Sequence, residues 1–184
     1  MLVTAFSVNA QQKTEAELKA EREQIATELK SKDVAKRQKN LDKLSAKSAK
    51  VEQTGLGSID GVANISKSVL KTVTSTNELL KEYRTEITDN GNGDVEIAKY
   101  SAKLEDYVKL AADLVQAGVD AATGAQQLAG AKEDAKKLNP MQAKPAISSV
   151  SFSTEALKAS GEELALQTRI VTNLIESIKA SKNL

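Results

Sequence analysis

The turn Asp89-Asn90-Gly91-Asn92-Gly93-Asp94 lies within residues 58–138, the stretch that decides the fold. On both sides of this turn, apolar residues recur at intervals of three and four, which places them on one face of a helix. Asn and Gly tolerate the left-handed backbone that a chain reversal requires. The stretch therefore predicts a helical hairpin. Its stripes are Val62, Ile65, Val69, Val73, Thr76, Leu80, Tyr83 and Ile87 before the turn, and Ile97, Tyr100, Leu104, Tyr107, Ala111, Leu114, Gly118 and Ala121 after it.

A tight reversal at this turn predicts which positions of the two stripes face each other. Tyr83 then pairs with Tyr100, and Ile65 pairs with Gly118. Large residues face small ones at several of these positions, as close packing requires. We interpret the tyrosine pair as packing at the end of a helical bundle rather than as a recognition site.

The composition is typical of a protein of long helices, with few aromatic residues and only two prolines in 184 residues. Lys and Arg number 26 against 25 Asp and Glu, so no net field attracts nucleic acid. The lysines of residues 30–50 are interpreted as a solvated helix face. The chain contains no His and no Cys, which excludes thiolate ligands and histidine-based triads. A calcium or magnesium site made only of carboxylates stays open, but the sequence has no calcium-binding loop that ends in Glu. We expect no cofactor, no metal and no catalytic site.

The first residues have the features of a secretory signal peptide that lacks its basic beginning. A short apolar run ends in Val8-Asn9-Ala10, which fits cleavage between Ala10 and Gln11. We expect residues 1–10 to be a truncated signal and residues 11–184 to be one helical domain, exported to a periplasm or secreted. The alternative is a frayed helical N-terminus.

The remaining segments predict three further features of a bundle of long, coiled-coil-like helices. Helix 1 is expected over residues 14–53, with a capping box at Thr14 and Glu17 and a bend or break near Ser31. Helix 3 is expected to continue to Leu138, and helix 4 to begin near Ala146. These elements predict an all-α, antiparallel up-down-up-down four-helix bundle. In this arrangement residues 122–161 of the helix 3/helix 4 hairpin project beyond helices 1 and 2 by about 25 Å.

The projecting hairpin is the predicted partner-binding element, because an isolated helix pair leaves an apolar edge uncovered. Alternatively, helix 1 bends differently or the chain dimerises there, so that this edge is core. The candidate contact residues are Leu128, Met141, Ile147, Val150, Phe152 and Leu157.

These observations favour an exported, non-enzymatic helical bundle that serves as a structural or protein-binding module. We expect a protein partner or self-association, no nucleic acid and no stable membrane span. The alternative is a membrane-active bundle, since the outline resembles periplasmic helical chaperones and bundle-type pore-forming toxins in shape alone. Against it, the hairpin has no run of about 20 apolar residues. An enzyme is the third possibility.

Overall fold

The computed structural model describes residues 13–182, and all secondary structure in this range is helical. The predicted all-α class is confirmed. The expected signal peptide and its cleavage site at Ala10 and Gln11 lie outside the described residues. A short 3₁₀ helix (Ile97–Lys103) precedes the fifth of six α-helices that pack together. The six are α1 (Glu15–Leu29), α2 (Lys32–Ser48), α3 (Gly57–Leu79), α4 (Lys81–Asn90), α5 (Leu104–Lys136) and α6 (Pro140–Lys182).

The N-terminal part contains two helices, so of the predicted bend or break near Ser31 the structure has the break. The capping box is confirmed, since Thr14 Oγ1 accepts from Glu17 N and Glu17 Oε2 accepts from Thr14 N. At the expected bend, Ser31 Oγ accepts a hydrogen bond from Val34 N at 3.2 Å and so caps a new helix, α2. The helix is therefore completely interrupted near Ser31, between α1 and α2.

The predicted end of helix 1 at residue 53 was wrong, because α2 ends at Ser48. The next residues form a loop that is held by Asp60, whose carboxylate accepts from Thr54 N at 2.7 Å and Gly55 N at 2.9 Å. Partial burial alone would raise the pKa of Asp60, but the hydrogen bonds from Thr54 and Gly55 hold it below the ordinary value. The loop backbone is thus satisfied by a side chain instead of by further helix.

The turn after α4 has the predicted glycine chemistry. Gly91 and Gly93 adopt left-handed φ values of 65° and 71°. Asn90 Nδ2 donates to the Asp94 carbonyl at 2.7 Å and closes the turn. Immediately beyond it, the rings of Tyr83 and Tyr100 pack edge to face with centroids 5.1 Å apart. The predicted tyrosine pair is confirmed.

Further along the hairpin, the predicted register was wrong. Ile65 packs beside Gly124, where its Cγ2 lies 3.0 Å from the site of an added β-carbon, rather than beside Gly118. Ser58 Oγ donates to Asp134 at 2.8 Å. The loop and the 3₁₀ helix take up residues 91–103, so α5 begins later than a tight reversal would allow. This longer connection shifts α5 by six residues against α3 at Ile65.

The hairpin of α5 and α6 does not project from the rest of the molecule as predicted. The start of α3 reaches Asp134 through Ser58, and the loop after α2 reaches α6, where Ser149 Oγ donates to the Glu52 carbonyl at 3.4 Å. The apolar edge is therefore covered by α3, and it forms a small core of Ile59, Val62, Ala131, Ala135, Ala146, Val150 and Leu157.

Helix α6 begins at Pro140 rather than at Ala146. Asn139 Oδ1 accepts from Met141 N and Gln142 N, both at 3.1 Å, and so caps the helix before Pro145. Pro140 takes the first helical position, where its missing N–H costs nothing. Pro145 follows inside the helix. The helix therefore begins at Pro140, directly after its Asn139 cap, and the start near Ala146 that was predicted from Pro145 was wrong.

Helices α3 and α6 form the centre of the molecule, because each contacts both α2 and α5 as well as the other. Among residues 13–182, neither α1 nor α2 contacts α5. The larger core lies between these layers and includes Leu41, Leu44, Val73, Leu114, Phe152, Ile170 and Leu174.

We predict that Gly93→Ala lowers the free energy of unfolding by about 2 kcal/mol or more, because the residue has a left-handed φ and the new β-carbon would lie 2.7 Å from the Lys19 carbonyl oxygen. Gly130→Ala is the matched control. It lies inside α5 with no neighbour within 4 Å, so alanine should stabilise by about 0.5–1 kcal/mol. Urea unfolding followed by circular dichroism measures both. Equal stability of Gly93→Ala and the wild type would contradict the packing of this turn on α1.

Candidate functional site

The six predicted partner-binding residues do not form one exposed edge. Phe152, Val150 and Leu157 are buried, and Leu128 is half-buried. Only two members of the set are exposed: Met141 at 90% and Ile147 at 59%. For Phe152, Val150 and Leu157 the prediction of a free contact surface was wrong, since α3 lies over this part of α6. The edge is core, although α3 covers it rather than helix 1 or a second copy, as the alternative had it.

A groove between α5 and α6 remains open near the end of this hairpin. Ile147 and Val150 line it from α6, and Ala129 lines it from α5. Its volume is about 600 Å³, and its surface is mainly apolar. The charged side chains in its lining are Lys132, Glu133, Lys136 and Glu155.

The outward face of α5 carries a second apolar surface, which leads into this groove at Ala129. Val108, Val115 and Val119 are 48%, 63% and 55% exposed. From Val108 through Ala112 to Val119 and Ala122 the spacing alternates between four and three, and Ala129 follows seven residues later beyond Gln126, so these residues form one line along the helix. We call this surface the α5 outer stripe, and it consists of Val108, Ala112, Val115, Val119, Ala122 and Ala129.

The sequence analysis missed the α5 outer stripe because it assigned a single apolar face to this helix. A signal was present in the sequence, since residues 114–131 contain only one charged residue, Asp120. A helix that is solvated on its outer side ordinarily carries charges there. The absence of charge around the whole circumference therefore indicates that both faces of this segment are suited to packing.

Polar side chains also lie deep between the helices. Glu163 is fully buried on α6, and its carboxylate accepts from Arg37 Nε at 2.7 Å and from Arg84 Nη1 at 2.9 Å. Gln167 Nε2 lies one turn further along and donates to the Val73 carbonyl at 2.7 Å and to Asn77 Oδ1 at 2.8 Å. This cluster joins α2, α3, α4 and α6 in one network.

A second buried group surrounds Arg22 of α1, which is 2% exposed. Its Nε donates to the Gly93 carbonyl at 2.7 Å, its Nη1 donates to Ser177 Oγ at 2.6 Å, and its Nη2 pairs with Glu15. The guanidinium thus holds the turn after α4 against the C-terminal part of α6.

Next to Arg22, Asn173 connects three helices through one amide. Its Nδ2 donates to the Leu18 carbonyl and to Glu21, both at 3.0 Å, while its Oδ1 accepts from the Tyr83 hydroxyl at 3.2 Å. Burial raises the pKa of Tyr83, so its hydroxyl remains protonated and can donate. The polar side chains around Arg22 and Asn173 therefore bind one another and hold the helices together.

The described part of the chain offers no further chemical site of a familiar kind. Within residues 13–182, no group of three or more Asp or Glu side chains is placed to hold a metal ion, and no helix is long and apolar enough to cross a membrane. Comparison with models of protein families, with curated proteins and with solved structures finds no significant match. A functional proposal for this chain therefore depends on the geometry of its surfaces.

We predict that Phe152→Ala lowers the free energy of unfolding by about 3–5 kcal/mol, because it leaves a cavity in a fully buried site. Met141→Ala, at the exposed end of the same hairpin, should change it by less than about 0.5 kcal/mol. Urea titration of the two variants gives the comparison. If Phe152→Ala left stability unchanged, the edge would be open as the sequence first suggested.

Removing the buried carboxylate of Glu163 should lower the free energy of unfolding much more than removing the exposed carboxylate of Glu162. Glu163→Ala leaves Arg37 and Arg84 without their partner, and we predict a loss of about 3–5 kcal/mol. Glu162→Ala, at the adjacent exposed position, should have an effect within about 0.5 kcal/mol. Thermal and urea unfolding measure both variants, and similar losses in the two would show that the ion pairs do not hold α2 and α4 on α6.

Proposed function

We propose that this protein is an exported, non-enzymatic helical module that acts through protein contacts, and that it associates with a second copy of itself along the α5 outer stripe. The observation that carries the proposal is the line of exposed valines and alanines, most of which lies in residues 114–131, where Asp120 is the only charged residue. Export is proposed from the apolar run and cleavage pattern of residues 1–12.

We further propose that the six helices act as four antiparallel rods, namely α1 with α2, α3 with α4, α5, and α6. The contacts support this order. Arg37 of α2 meets Glu163 of α6 while Arg22 of α1 meets Ser177, so residue numbers rise on one rod as they fall on the other. Ser58 at the start of α3 likewise meets Asp134 near the end of α5.

A second copy is the occupant that suits this stripe. In a dimer with a twofold axis, the same surface of each copy contacts the other. Residues spaced alternately by three and four have the same pattern in both chain directions, so two antiparallel α5 stripes can face each other. Between the two helices, small residues such as Ala122 allow a close approach and valines fill the space. No ion pair is needed across the centre, since Asp120 is the only charged residue in residues 114–131.

The dimensions predict a weak, reversible dimer. The stripe spans residues 108–129, which is about 32 Å of helix, and a contact one helix wide then covers about 600 Å² summed over two copies. Stable interfaces bury about 1,200–2,000 Å² in total, so the helix contact alone is about half of what a tight dimer needs. The apolar groove at Ile147 continues from Ala129 and can extend the contact.

The membrane-active alternative needs a free hairpin able to rearrange. Protein contact is preferred here because Val150, Phe152 and Leu157 of that hairpin are packed in the two cores.

We predict that the wild-type chain shifts from monomer to dimer as its concentration rises through the micromolar range, in line with an interface of modest area. Val115→Lys with Val119→Lys should abolish the shift, because it places two charges in the centre of the contact. Light scattering coupled to size exclusion, over a concentration series, measures the mass.

The control for this experiment carries the same added charge elsewhere. Leu79→Lys with Met141→Lys replaces two apolar residues that are 66% and 90% exposed and lie outside the stripe. This variant should dimerise like the wild type. A wild-type chain that stays monomeric throughout, or a control that also becomes monomeric, would contradict self-association through α5.

A further inference from the structure

A second groove runs between α2 and α6, and it shares Glu155 with the groove between α5 and α6. It has a volume of about 920 Å³, which is within the size range of ligand-binding sites. Lys36, Lys39 and Lys43 follow one another at intervals of three and four along α2, and Lys158 extends from α6. The complete lining is Asp33, Lys36, Arg37, Lys39, Asn40, Lys43, Glu155, Lys158, Ala159 and Glu162.

The cations of this groove are not neutralised by the carboxylates around them. Five cationic side chains line it against three carboxylates. Among residues 13–182, none of Lys36, Lys39, Lys43 and Lys158 has a carboxylate within 4 Å. Lysines elsewhere, such as Lys13 and those of residues 136–137, do have such partners. The groove therefore has a local excess of positive charge in a protein whose overall charge is close to zero.

Arg37 connects the groove to the buried ion-pair cluster. Its Nε donates to Glu163, and the same carboxylate also accepts from Arg84. One carboxylate balances only one of two guanidiniums, so the cluster keeps a positive charge next to the groove. The Arg37 Nη2 nitrogen is buried and has no hydrogen-bond partner among the described residues. The positive charge of the Arg37 and Arg84 cluster thus adds to that of the lysines that line the groove.

The three carboxylates are spread along the groove. Because α2 and α6 are antiparallel at Arg37 and Glu163, Asp33 lies towards one end, Glu155 lies towards the other, and Glu162 lies between them. Lys36 and Lys43 are two helical turns apart, about 10 Å along the axis. Each lysine carries its charge on a flexible four-carbon stem, so a ligand shorter than this spacing can still contact both ammonium groups.

From this arrangement we propose that the α2/α6 groove binds a ligand with two or more phosphate groups. Lysine ammonium groups bind phosphate as point charges, without the planar fork by which arginine recognises carboxylates. Each phosphate concentrates up to two negative charges on a few atoms, so it outcompetes the three carboxylates of the lining. A free polyphosphate chain and the headgroups of an anionic phospholipid surface share this chemistry.

Isothermal titration of the full chain with inorganic tripolyphosphate tests the proposal, and co-sedimentation with phosphatidylglycerol vesicles separates the lipid source from the free one. Lys39→Glu with Lys43→Glu should weaken binding of the effective probe by about tenfold or more, since both residues line the groove. The control, Lys103→Glu with Lys109→Glu, makes the same charge change near or on α5, which does not contact α2, and should weaken binding by less than about twofold. All four lysines are exposed, so both variants should keep the wild-type melting temperature.

Each outcome decides the proposal. Groove-dependent binding of tripolyphosphate supports a free ligand, and groove-dependent binding of phosphatidylglycerol vesicles without tripolyphosphate supports a lipid headgroup. Equal losses in the two variants would overturn the proposal, as would a wild-type chain that binds neither probe. Tighter binding of a polyuronate, which carries carboxylates and no phosphate, would overturn the assignment to phosphate.

Discussion

The buried carboxylate of Glu163 is the constraint on which the packing of the N-terminal half depends. It receives Arg37 from α2 and Arg84 from α4, so three helices meet at one charged group. Taking charges out of water is costly, and a buried pair of this kind adds little net stability compared with apolar residues of the same size. Its effect is on register, because any sliding of α2 or α4 along α6 would leave a charge buried without a partner. Arg22 acts in the same way further along, where it binds both the Gly93 carbonyl and Ser177.

The other side of the molecule is held by different forces. Helix α5 packs on α3 and α6 through small and aliphatic residues such as Leu114, Ala117 and Gly124, where Ile65 and Leu157 come close. These contacts depend on shape and burial, and they leave the outward face of α5 apolar as well. The polar clusters around Glu163 and Arg22 therefore lie on the side of α1, α2 and α4, while the uncharged surface lies on the opposite side. This asymmetry gives the protein two outer faces of different chemistry.

Much of the fold could be predicted from local patterns. The capping box at Thr14, the turn at Gly91 and the pair of Tyr83 and Tyr100 all follow from short-range chemistry. The register of α5 against α3 could not be predicted in this way. The 3₁₀ helix (Ile97–Lys103) has the same three-four spacing of apolar residues as an α-helix, but it is part of the connection between α4 and α5. The candidate site was misplaced for the same reason, since a shift of six residues brings α3 over the edge that was expected to be open.

The single apolar seam assigned to α6 was also too narrow, and the physical reason explains why its polar residues were missed. This helix contacts α1, α2, α3 and α5, so it is buried nearly all round, including Glu163 and Asn173. Periodicity alone treats such residues as solvent-facing, because it has no information on how many neighbours a helix has.

The two outer faces have a joint consequence, because α2 and α5 pack against the same central helices without touching each other. The proposed contact between two copies lies along α5, whereas the lysines of the proposed phosphate groove lie on α2 and at Lys158. A dimer of this kind presents two grooves to a ligand that carries many phosphate groups, and the second binding event becomes intramolecular. Even a weak dimer is then stabilised by a surface that engages both grooves, since the bound and paired states favour each other. The proposed α5 contact is small and the excess charge of each groove is modest, so the two proposals together predict an assembly that depends on a ligand with many phosphate groups.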